Sequence, residues 1–157
     1  MRLFLAAALL VMATSCQQNT PPEAEAIDHA KIEASITSFV DGFVDAIEKT
    51  DMDRAATHWL AEAMVGSQGM LLNKEELVAA IGPAFENLER QDLNLTSSNI
   101  EVISSNVAAM SAAGVFTATN KEGVTSPEQP FAWTFVFVKD AGEWKILQSH
   151  QSFGQSN

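Results

Sequence analysis

The side chains with the most chemistry to offer are three histidines and one cysteine. His150 lies in the run Trp144-Lys145-Ile146-Leu147-Gln148-Ser149-His150-Gln151-Ser152, which reads as an extended strand. Residues two apart share a face of a strand. Trp144, Ile146, Gln148, His150 and Ser152 therefore align, apolar first and polar after, as in a wall running from a core to a pocket mouth. There Gln148 and His150 would hydrogen-bond a ligand. His150 would serve as a general base only if a carboxylate such as Asp41 or Glu62 oriented it. The plainer alternative is a half-buried imidazole bonded to backbone. His58, next to Trp59, reads as a surface or helix-end residue, and His29 as solvated in the first turn of a helix. Zinc needs three or four ligands, and only a convergence of His150, His58 and Asp41 would supply them. No short metal-ligand motif exists, so no metal is expected. No Ser, Thr or Cys stands in a nucleophile motif and there is no glycine-rich phosphate loop, so no cofactor is expected either.

The elements that must position these residues fit one domain in a chain of 157 residues. The net charge is −11, with 20 acids against 9 bases. Phosphate binding needs clustered Lys and Arg, so nucleic acid is excluded as a partner. Electrostatic docking on anionic lipid is excluded for the same reason.

The first half reads as helical. Asp28 is an N-cap, Ile27 can staple onto Ile32, and Ile32, Ile36, Phe39, Val40, Phe43 and Ile47 recur at helical spacing. Thr50 is read as the cap of a short second helix carrying Met52, Ala55, Ala56 and Trp59. Asn73 with Glu76 resembles a capping box opening a third helix, with Leu77, Ile81, Phe85 and Leu88 on one stripe. Gly82-Pro83 predicts a kink or break inside it. Ala63 to Leu72, with Gly66 and Gly69, predicts a short strand or hairpin. The second half reads as strands over Leu93 to Ile103, Val107 to Thr119, Phe131 to Val138 and Glu143 to Phe153. Three helices followed by a meander imply an α+β layer fold, helices on one face of an antiparallel sheet. Phe131, Trp133, Phe135 and Phe137 alternate onto its core face, with Trp133 or Phe131 the nearest to a pocket. The other face carries Ala132, Thr134, Val136 and Val138, joined by Leu147 and Phe153. A homodimer packed sheet to sheet would cover that face; a partly exposed β-branched surface without a partner is the alternative.

The N-terminus reads as an export signal. Arg2 precedes an apolar run from Leu3 to Met12, too short for a bilayer span of roughly 20 residues. Ala13-Thr14-Ser15 before the lone Cys16 resembles the lipobox of bacterial lipoproteins. That resemblance implies a signal peptide over 1–15, lipidation of Cys16, a flexible tether over 16–26 and a folded domain over 27–157. With Gln17 following, it implies export to the cell envelope, at the periplasmic face of the outer membrane.

Phe135-Val136-Phe137-Val138, the turn Lys139 to Gly142, then Trp144-Lys145-Ile146-Leu147 and Ser149-His150-Gln151-Ser152 resemble the C-terminal hairpin of SnoaL-like proteins of the nuclear transport factor 2-like superfamily. Asp51 to Val65 is similar to the family's second helix and first strand. The resemblance implies a cone, three N-terminal helices packed on a curved antiparallel sheet, with a pocket at the open end. In the ketosteroid-isomerase branch a helical Tyr binds the oxyanion and an Asp is the base. The corresponding positions here are Phe43 and Ser67, and the chain has no Tyr. A hydroxyl without an adjacent base does not abstract a carbon-bound proton at neutral pH.

Those departures favour a module that binds a small apolar ligand without chemistry. Its pocket is expected to be lined by Phe43, Trp59, Met64 and Trp133, with Gln148 and His150 as polar anchors. The alternatives are an isomerase- or dehydratase-type enzyme using His150 for proton transfer, and a homodimeric structural partner-binding module.

Overall fold

A computed structural model describes residues 26–154. The signal read over 1–15, Cys16 and all but the last residue of the tether lie outside the described residues.

Helix α1 (His29–Glu48) starts where Asp28 accepts a hydrogen bond from the Lys31 amide at 3.1 Å, and buries the predicted stripe of Ile32, Ile36, Val40, Phe43 and Ile47. Helix α2 (Met52–Ala56) has only five residues. Its cap is Asp51, which accepts from the Arg54 amide at 3.0 Å. Thr50, expected in that role, instead takes a left-handed turn with φ 53°. Trp59 is not on this helix; it opens strand β1 (Trp59–Ser67). After β2 (Met70–Asn73) comes α3 (Lys74–Asn87), with the expected capping box between Asn73 and Glu76, each bond 2.9 Å. Pro83 does not break α3. The helix runs on through it to Asn87, losing the one bond that a donor at position 83 would give to the Ala79 carbonyl, and the Asn87 side-chain amide donates to the Pro83 carbonyl at 2.8 Å. Four long strands complete the chain: β3 (Leu88–Ser104), β4 (Val107–Asn120), β5 (Gln129–Asp140) and β6 (Glu143–Phe153).

The architecture is α+β, one six-stranded sheet in the order β2-β1-β6-β5-β4-β3 with the helices against it. Two expectations need correcting. The helices are not three in an N-terminal block: two are long, and α3 follows the β1–β2 hairpin. The sheet is mixed, because β1 runs parallel to β6. Strands joined by tight turns must be antiparallel, but β1 and β6 lie at opposite ends of the domain, so no turn dictates their direction.

The core face is built on β5. Phe131, Trp133, Phe135 and Phe137 are all buried, and α1 lays Phe39 and Phe43 edge-on against Phe137 and Phe135. Each such ring removes 150–250 Å² from water, at roughly 25 cal/mol per Å². Trp144 ties the far end of α1 to the sheet by donating to Ser35 Oγ at 2.8 Å.

Among the sheet's register shifts, two bear on what faces the helices. At Gly114 a Cβ would stand 2.3 Å from the Asn94 carbonyl oxygen and 2.9 Å from the Phe131 ring, so only glycine lets β3, β4 and β5 close up beside the bulge between Leu95 and Ser97. In β6, Ile146 faces Phe137 and Gln148 faces Val136, which leaves Leu147 as an extra residue. Among the described residues no helix is long and apolar enough to cross a membrane.

Candidate functional site

A cavity of about 430 Å³ lies between the inner face of the sheet and helix α3. Leu77, Ala80, Ile81, Ala84 and Phe85 form its helical wall. Trp59, Leu93, Phe116, Phe131 and Trp133 form its sheet wall. Met70 and Phe153 line it and are also exposed, 52% and 39%, which marks the mouth between the start of β2 and the end of β6. The polar side chains on the wall are Ser67, Gln68, Gln91 and Gln151. No Asp, Glu, His, Lys, Arg or Cys is among the lining residues.

Of the residues expected there, Trp59 and Trp133 line the cavity. Phe43 does not: it is 1% exposed and packs behind the wall, edge-on to Trp59 at 4.9 Å and tilted on Trp133 at 6.0 Å. Met64, Gln148 and His150 are absent from the lining as well. Gln148 and His150 are exposed, in register with Met64 and Gly66 of β1. The His150 ring rests over Gly66, where a Cβ would meet its Cδ2 at 2.8 Å.

The cause is the extra residue in β6. Before Leu147 the inward positions are Trp144 and Ile146; after it they are Ser149, Gln151 and Phe153. One inserted residue exchanges the two faces of everything downstream. Strict alternation from Trp144 therefore places Gln148 and His150 inside, and the bulge puts them outside. The same shift brings Phe153, expected on the outer face, into the cavity wall. Gln151, which sequence reasoning missed, stands directly across from Trp133. No local signal in the sequence marks Leu147 as the extra residue.

Two of the residues that line the cavity carry an unpaired polar atom. The indole Nε1 of Trp59 and of Trp133 are buried without a hydrogen bond among the described residues. The third indole, Trp144, is paired with Ser35. Gln91 is fixed by donating from Nε2 to the Ile47 carbonyl at 3.2 Å, and Glu48 accepts from the Leu93 amide at 3.0 Å; both tie β3 to the end of α1 beside the cavity. Asp45 on the same helix pairs with Lys49 and Arg54, and the hydrogen bonds to those cations hold its carboxyl below the usual range.

His58 lies away from the cavity, in a shallow cleft beside Ser35, Thr57 and Lys145. Its ring packs on Phe39 at 5.0 Å and Phe43 at 5.4 Å, and Nδ1 is 3.1 Å from the Arg54 carbonyl, so that nitrogen carries the proton. Burial against the rings lowers its pKa below the ordinary 6.5, and the charges of Lys145 and Arg54 add to the effect. Among the described residues, no three His, Cys, Asp or Glu side chains form a group able to hold a metal.

A family model described as SnoaL-like domain matches residues 36–156. Among curated protein sequences, none matches. Solved structures share the fold at low identity. A candidate scytalone dehydratase from Novosphingobium aromaticivorans is 9% identical with a TM-score of 0.70, over 80% of this chain and 86% of that one. A nuclear transport factor 2-like superfamily protein from Salmonella enterica is 18% identical with a TM-score of 0.68, over 81% and 94%. A ketosteroid isomerase-like protein from Erwinia carotovora is 20% identical with a TM-score of 0.65, over 78% and 96%. These likenesses show the nuclear transport factor 2-like fold.

The lowered pKa of His58 has a stability consequence. Between its folded and unfolded values the unfolded chain binds more protons, so stability is full above 6.5 and declines as pH falls below it. The melting temperature is expected to drop between pH 7 and pH 5, and His58→Gln to flatten that slope. An equal slope in the variant, measured by calorimetry, would remove His58 as its source.

Proposed function

The chain belongs to the SnoaL-like domain family, and we propose that it is a binding module which holds a small apolar ligand in the cavity beside α3 without transforming it. The observation that carries this reading is the wall itself, apolar on both sides and without one titratable side chain among its lining residues. Proton transfer needs a group whose pKa lies near the working pH, within hydrogen-bond reach of the substrate or one water away. His150 is on the far face of the sheet, and Asp41 and Glu62 are exposed outside the cavity. Ser67 does line the cavity, at the position where the resemblance to the ketosteroid-isomerase branch puts an Asp. Its hydroxyl has no base among the lining residues to activate it. An apolar guest gains roughly 25 cal/mol for each Å² of its surface removed from water here, before the costs of ordering are subtracted.

We also propose that the module is held at the cell envelope through a lipid on Cys16. Support comes from the short apolar run and small residues that precede this sole cysteine. Cys16→Ala is expected to move the protein from the membrane fraction to the soluble one. A variant that stays in the membrane fraction contradicts the anchor.

Titration with N-phenyl-1-naphthylamine, a neutral apolar fluorophore, tests the binding reading. Emission is expected to rise and saturate near one dye per chain. Ala118→Phe, which fills the cavity from β4, is expected to weaken binding at least tenfold, whereas His150→Ala leaves it unchanged. Absence of saturable binding, or loss of binding in the His150 variant, overturns the proposal.

A further inference from the structure

Gly42 stands in the interior of α1, where glycine is a poor helix former and alanine the best. It is exposed, and outside its own helix backbone the one atom that a Cβ there would meet within 4 Å is His58 Nε2, at 3.6 Å. The absent methyl leaves room beside that nitrogen. His58 Nδ1 donates to the Arg54 carbonyl, so Nε2 carries the lone pair of the neutral ring. Nε2 has no hydrogen-bond partner among the described residues, yet it is not one of the buried atoms that lack one, so solvent reaches it. Ser35, Ser38 and Phe39 line the cleft in which His58 sits, and Gly42 continues their stripe at i, i+3, i+4 and i+7.

This cleft has a volume of about 440 Å³, within the range of about 300–1,000 Å³ common for small-molecule sites. Its hydrogen-bonding groups are partly used and partly open. Ser35 Oγ accepts from the Trp144 indole at 2.8 Å, which leaves its own hydrogen to donate. Thr57 Oγ1 donates to the Arg54 carbonyl at 2.7 Å, which leaves its lone pairs to accept. Lys145 Nζ donates to the Thr57 carbonyl at 3.1 Å and lies 3.6 Å from Glu143, so the two charges offset each other.

We propose that this cleft is a second binding site, separate from the apolar cavity, for a neutral sugar, one of whose hydroxyl groups donates to His58 Nε2 beside Gly42. Donors and acceptors alternate along the cleft, and a hydroxyl group is both. A pyranose carries adjacent hydroxyls on a rigid ring, so little freedom is lost on binding. Phe39 supplies apolar surface for the carbon face of that ring. Charge is selected against in both directions. A carboxylate or phosphate would meet Glu143 and the lone pairs of His58 and Thr57, in a chain of net charge −11; an ammonium would meet Lys145. The proposal does not depend on what fills the cavity beside α3.

The test titrates the full-length protein with cellobiose, glucose and glucuronate, and follows the Gly42 amide and the His58 ring by NMR. Cellobiose is expected to shift both signals saturably in the millimolar range, and glucose to bind more tightly than glucuronate, which has the same ring with a carboxylate. Gly42→Ala favours the helix and crowds Nε2; it is expected to melt no lower than the wild type and to weaken cellobiose by about fivefold or more. Binding of N-phenyl-1-naphthylamine in the cavity should be the same in this variant. His58→Phe, which keeps a ring against Phe39 and Phe43 but has no lone pair, should lose cellobiose as well; should it fail to fold, Gly42→Ala carries the test. No saturable shift with cellobiose, tighter binding of glucuronate than of glucose, or undiminished cellobiose binding in Gly42→Ala overturns the proposal.

Discussion

A strand has only two faces, and which side chains meet the helices depends on parity alone. In this fold the parity of the last strand is not constant. Leu147 is an extra residue against β5, so β6 presents Trp144 and Ile146 inward at one end and Ser149, Gln151 and Phe153 inward at the other. β1 runs parallel to β6 and shifts register at the same place, between Trp59 and Met64. The inner wall of the cavity is thereby committed to Gln151 and Phe153, with Trp59 and Trp133 beside them. Gln148 and His150 are committed to the outside. Had the strand kept one parity, an imidazole would face the cavity and a proton acceptor would be on its wall.

The chemistry of the site follows from that commitment. With no histidine or carboxylate among its lining residues, the wall offers indole rings, amides and one serine hydroxyl in an otherwise apolar surround. None of these groups exchanges a proton readily at neutral pH. The titratable groups with shifted pKa values are elsewhere. Asp45 is stabilised as a carboxylate by Lys49 and Arg54 at the end of α1, and His58 is kept neutral between Phe39 and Phe43. Asp45 ties α1 to the short α2 through Arg54, and the His58 ring packs on two aromatics of α1; neither residue lines the cavity.

Much of the fold could be read from residue order. The stripe of α1, the Asn73–Glu76 capping box and the aromatic alternation of β5 are local patterns whose physics is local, and each stands in the structure where the sequence placed it. Trp59 and Trp133 were legible as large aromatics close to a pocket. What could not be read is non-local. The parallel pairing of β1 with β6 joins segments with no turn between them, so no turn residue announces it. The bulge at Leu147 is defined only against its partner strand, and Leu147 itself looks like any strand residue. A single insertion without a local signal separates the faces that alternation predicts for Gln148, His150, Gln151 and Phe153 from the faces they occupy. The parity of β1 is equally non-local: Ala63 and Val65 are its buried positions, and Met64 between them faces the other way.

Which of two adjacent residues, His150 or Gln151, faces the tryptophans decides the chemistry of the cavity. Nuclear Overhauser contacts in the isotope-labelled protein measure this directly. The Gln151 side-chain amide is expected to show contacts to the Trp133 ring, and the His150 ring to the Gly66 α-protons. Contacts from the His150 ring to Trp133 or Trp59, with Gln151 exposed to solvent, would contradict the account and return an imidazole to the cavity.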